Sequence, residues 1–130
     1  MDLVRAVAAG LVAWFVLNTA ASIAVVEYAT LEQLQSYAGA VAWYGATGSA
    51  AGLLTAAAGS LAHRRPERAR PGRNAVAALT APVAGTIGNA LLLAGTPGAR
   101  WPEFATWSLI ALAGAVAGWA LTRRLRRRAV

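Results

Sequence analysis

Residues 37–62 read YAGAVAWYGATGSAAGLLTAAAGSLA, and this stretch decides the fold. Gly45, Gly48, Gly52, Thr55 and Gly59 recur in it at steps of three and four. Residues so spaced share one face of a helix, so they form a narrow seam almost without side chains. An interior glycine costs a helix in water about 1 kcal/mol relative to alanine. In lipid the choice makes sense. Helices there have no hydrophobic drive to associate, and small residues let their backbones approach. The stretch reads as the hub helix of a membrane bundle.

Three further apolar stretches flank it: residues 3–26, 75–95 and 102–121, the last starting at about Trp101 or Phe104. Each is near the roughly 20 residues that a spanning helix needs. The chain has 130 residues, of which 58% are hydrophobic. Its mean hydropathy is +0.50, too apolar for a water-soluble domain of this size. The expectation is one all-α, polytopic membrane domain, residues 1–130, built as a four-transmembrane-helix bundle. A small-residue site at Thr19-Ala20-Ala21-Ser22 admits a cleaved signal peptide instead. Against that, Asp2 stands beside the lone Arg5 and the apolar run continues to Val26.

The connections carry their own signals. Thr30-Leu31-Glu32-Gln33 fits a capping box, so helix can begin near Leu31, before the membrane. The second helix is then about 30 residues long and tilted, bent at its glycines, or preceded by a separate interfacial turn. Pro71-Gly72 reads as a turn, with Asn74 as N-cap of the third helix. Pro97 and Gly98 suit the centre of a type II turn. An offset of 59 aligns Ala46–Arg68 on Ala105–Arg127, matching Gly59 to Gly118 and Arg64-Arg65 to Arg123-Arg124. This is the pattern of two parallel helical-hairpin repeats.

All twelve basic residues are arginines, and the net charge is +7. Arg5, the loop after residue 62 and the last residues carry every arginine except Arg100. Positive charge near spans stays cytoplasmic. The expectation is a multi-pass protein of the plasma (inner) membrane with both termini cytoplasmic and no dual topology.

Candidate sites follow. Gly114 and Gly118 of the fourth span form a GxxxG pair and join the packing seam. Pro82 interrupts the third helix and removes a backbone hydrogen bond to Ala78. Asn18 and Ser22 of the first helix and Pro82, Gly85, Thr86 and Asn89 of the third are candidate cavity or substrate contacts. Asn18 and Asn89 share a depth, and amides in hydrocarbon bond across helices or to a ligand. Arg64, Arg65, Arg68, Arg123 and Arg124 are candidate contacts for anionic lipid headgroups on the cytoplasmic face, at about 1 kcal/mol per residue. Nucleic-acid binding is not expected, since no aromatics interleave with these arginines.

Much chemistry is excluded. There is no cysteine, no lysine and a single histidine, His63. Disulfides, thiolate metal sites, Schiff bases and paired-histidine haem ligation are gone. No acidic residue lies in the middle of a span to relay protons. Neither a cofactor, a metal site nor catalysis is expected. The small multidrug-resistance transporters share this length, but their membrane glutamate has no counterpart here. Fluoride channels carry a Gly-Thr-x-x-x-Asn element, and Gly85-Thr86-Ile87-Gly88-Asn89 has different spacing. The four-helix plan with basic residues after the second and fourth spans is similar to the GtrA-like flippases. Ser60-Leu61-Ala62-His63-Arg64-Arg65 resembles part of their Asn-Phe-x-x-Asn-Arg-Arg ending, without its aromatic continuation. The functional expectation is a transporter, channel or lipid carrier acting as a homo-oligomer. The competing expectation is a non-catalytic accessory or structural subunit within a larger membrane complex.

Overall fold

The computed structural model describes residues 1–63 and 70–129. The described residues are helical, with no strand among them. In chain order the helices are α1 (Asp2–Tyr28), α2 (Leu31–Gln35), α3 (Tyr37–Ala62), α4 (Pro71–Ala94) and α5 (Trp101–Arg128). By length and composition α1, α4 and α5 could each cross a membrane. The fourth span expected from sequence, α3, falls outside that group. Glycine, serine, threonine and tyrosine dilute its apolar content, and it is the helix the others surround.

Local sequence sets the ends. Thr30 and Gln33 cap α2 reciprocally: the Thr30 hydroxyl accepts from the Gln33 N–H, and the Thr30 N–H donates to Gln33 Oε1. The chain then breaks at extended Ser36, whose hydroxyl accepts from the Gly39 N–H and starts α3 anew. Of the three routes open to that segment, a separate short turn is the one taken. α3 keeps the expected bounds.

The start of α4 differs from expectation. It begins at Pro71, not Ala75, and Pro71-Gly72 form its first turn rather than a loop. Proline at the first helical position has its φ already set and loses no needed N–H there. Asn74 is therefore not an N-cap but lies inside the helix, 1% exposed. Pro82 sits within α4 and does not end it. Gly98 adopts φ +70°, as the type II turn requires. α5 runs on past residue 121 through the arginines to Arg128, and α1 extends two residues past Val26.

α3 packs most extensively on α5, then on α1 and α4. Contacts rise together in number along α3 and α5, from Gly45 against Ile110 to Leu53 against Gly118, so the two helices run parallel. The reason is backbone proximity. A Cβ on Gly52 would stand 2.6 Å from the Ala111 carbonyl oxygen. A Cβ on Gly114 or Gly118 would collide with the backbone of Ser49 or Leu53. The GxxxG pair of α5 thus faces α3. Gly59 leaves this zipper and lies against the Ala77 backbone of α4, with Gly10 of α1 beside it. The aligned pair Gly59 and Gly118 therefore meets different partners, and packing is not repeated at this step.

Candidate functional site

The bundle has two unlike regions. Toward the arginines, small residues close it: Ala6, Ala56, Ala77, Ala78, Ala81 and Ala115 are buried. Within this packing lies a polar knot. The Ser60 hydroxyl donates to Asn74 Oδ1 at 3.1 Å, and the Trp119 indole donates to the same oxygen at 3.1 Å. Arg126 donates to the Ser60 carbonyl at 2.9 Å. Arg5 reaches the Ala62 carbonyl at 3.2 Å, and Asp2 stands 3.7 Å from His63 Nε2. The knot joins α3, α4 and α5, with Arg5 of α1 beside it, while the Thr55 hydroxyl and both His63 ring nitrogens are buried nearby with no hydrogen-bond partner among the described residues. Asn74 is the centre, since its amide offers an acceptor and a donor at once.

Beyond this closed region the helices stand apart around a cavity of about 460 Å³ lined from α1, α3, α4 and α5. It fills the space flanked by α1 and α5, two helices that scarcely touch. Its size falls within the range of about 300–1,000 Å³ usual for small-molecule pockets. The wall is aromatic: Trp14, Phe15, Tyr44, Phe104 and Trp107 all contribute. Tyr44 and Trp107 meet edge to face at 4.1 Å, and Phe104 meets Trp107 the same way at 5.8 Å. These bulky side chains hold the helices apart where alanine and glycine would let them meet.

Five of the six sequence-predicted cavity residues gather here: Asn18, Ser22, Pro82, Thr86 and Asn89. Gly48 and Gly52 of the seam also reach the wall. Gly85 does not. The Trp14 indole lies over it, so closely that any side chain at 85 would strike the ring. Of the seam, Gly45 meets Ile110, and Thr55 is fully buried in the closed region. Arg123 stacks on Trp119 at 5.3 Å, and Arg124 is exposed. Arg64, Arg65 and Arg68 lie outside the described residues.

The chain has no match among protein-family models, curated proteins or solved structures. Its chemistry must therefore be read from the site alone.

Among the described residues, no charged side chain lines the cavity. Several wall hydroxyls are already committed. Thr47 donates to the Trp43 carbonyl at 2.7 Å and Thr86 to the Pro82 carbonyl at 2.9 Å. The Asn18 amide donates to the Trp14 carbonyl at 3.0 Å, which fixes its Oδ1 as the free end. Trp107 Nε1 is buried with no hydrogen-bond partner. Sequence reasoning found the amides and the proline. It missed Trp14, Tyr44, Phe104 and Trp107 as wall residues, although aromatic spacing on the fourth span (Phe104, Trp107) was there to be read. It also missed Asn74 and Trp119, whose partnership spans 45 residues of chain.

Proposed function

We propose that the protein is a four-span integral membrane protein of the plasma (inner) membrane that binds a small molecule within the bilayer and carries or passes it. The observation behind this reading is the uncharged, aromatic-walled cavity of about 460 Å³ between four long helices. The fourth crossing is α3. At 26 residues it is about 39 Å long, and it lies alongside three helices that are apolar enough to span. A helix enclosed by neighbours needs small residues more than lipophilic ones. The arginine end is the cytoplasmic end. Its closed packing and the cavity on the other side are the arrangement of a carrier open away from the cytoplasm. The work of such a site is binding and passage, without catalysis, cofactor or metal. Arg123 and Arg124 serve as contacts for anionic headgroups, and a homo-oligomer is the working unit.

The topology is tested with single cysteines, for which the chain offers no native background. A membrane-impermeant thiol reagent should label Thr96→Cys on intact cells and Gly72→Cys only after permeabilisation. The reverse pattern overturns the orientation, and labelling of both on intact cells overturns the four-span count.

A further inference from the structure

We infer that the cavity is selective for the sign of charge, and that its ligand is an amine, bound as an ammonium with an aromatic or apolar body. This rests on the cavity being a binding site, as proposed above. Thr47 and Thr86 each donate their only hydroxyl proton to a carbonyl of their own helix, so toward the cavity these oxygens can only accept. Asn18 gives one of its two amide N–H groups to the Trp14 carbonyl, which leaves Oδ1 and the second N–H for the cavity. Three oxygens from α1, α3 and α4 thus present lone pairs to a chamber lined by no charged side chain among the described residues.

The aromatic wall points the same way. The faces of Trp14, Tyr44 and Trp107 carry negative quadrupole potential and attract cations, tryptophan most strongly. An anion would leave water for a space with no countercharge, because every arginine with a described position is elsewhere. Arg100 is paired with Glu103 at 2.8 Å, and the others lie at the closed end. Burial of an unpaired charge is strongly unfavourable. A cation meets acceptor oxygens and aromatic rings in place of its water; a carboxylate meets only neutral donors. The donors that line the chamber, among them the Asn18 and Asn89 amides, the Ser22, Ser108 and Tyr44 hydroxyls and the unpartnered Trp107 N–H, are all neutral. They hold an acceptor on the ligand's body and do not supply the countercharge an anion needs.

The test uses 2-phenylethylammonium, 2-phenylethanol and 3-phenylpropanoate, which share an aryl body and differ in charge. Each is titrated calorimetrically against the protein in zwitterionic phosphatidylcholine nanodiscs, with empty nanodiscs subtracted. The ammonium should bind at least about tenfold more tightly than the carboxylate. Thr86→Val and Trp14→Leu should each weaken it several-fold, whereas Thr80→Val, outside this cavity, should not. Helix content by circular dichroism checks that each variant is folded. Equal or tighter binding of the alcohol or carboxylate, or no binding of any probe, overturns the inference. Flux of the same probes into proteoliposomes separates it from the carrier reading. Ammonium binding without flux sinks the carrier and leaves the selectivity. Flux of the carboxylate does the opposite.

Discussion

The two ends of this bundle are made of the same four helices and differ in one thing, the size of the side chains between them. At the arginine end Gly10, Gly59, Gly118 and a set of buried alanines bring backbones into contact. Farther along, Trp14, Phe15, Phe104 and Trp107 occupy the corresponding positions and wedge the helices apart. Interaxial distance follows the side chains at the crossing. One half is therefore a closed structural clasp locked by the Ser60–Asn74–Trp119 knot, and the other is a chamber. The seam runs between the two: Gly59 and Gly118 close the clasp, while Gly48 and Gly52 also reach the chamber wall.

This contrast can be broken most forcefully at Gly118. Its missing Cβ faces the Leu53 backbone, which cannot rotate away. Gly118→Leu should cost at least about 3 kcal/mol, the upper range for overpacked interiors, and abolish folded protein in detergent-unfolding measurements. A Gly118→Leu protein as stable as the parent would show that α3 and α5 are not zippered.

A smaller effect compares two asparagines on one helix. Asn74→Leu strands the Trp119 indole and the Ser60 hydroxyl, and should lower unfolding stability by about 1–3 kcal/mol. Asn89, exposed at the cavity, is hydrogen-bonded to no described residue, so Asn89→Leu should change stability by less than about 0.5 kcal/mol while altering ligand binding. If both variants lose the same stability, the two regions are not distinct in kind.

A gain rather than a loss is expected at Gly88. Nothing stands within 4 Å of its missing Cβ. Gly88→Ala should raise stability by up to about 1 kcal/mol through helix propensity and a less flexible unfolded chain, read as a higher unfolding midpoint. A loss there would mean that another surface, such as a second copy of the chain, covers this part of α4.

Much of the helical plan was legible in sequence because its causes are local. Apolar runs, the Thr30–Gln33 capping box and Pro97-Gly98 act within a few residues of themselves. The bounds of α4 were misjudged for an equally local reason: Pro71 both ends a loop and begins a helix well, and sequence offers no way to choose between these roles. Asparagine caps helices often, whereas the partners of Asn74 on α3 and α5 are remote in the chain.

By itself, then, the sequence determined the helical class, the concentration of small residues on α3 and α5, the asymmetry of positive charge and the lack of cysteine and lysine. Those properties depend on residue identity and short spacing. The tertiary structure alone decided that the seam divides, Gly52 toward α5 and Gly59 toward α4. It alone brought Asn18, Thr47 and Thr86 to one chamber with the aromatic wall. The rotation of each helix about its own axis governs both outcomes. That rotation is set by contacts among all four helices together, through side chains far apart in the chain.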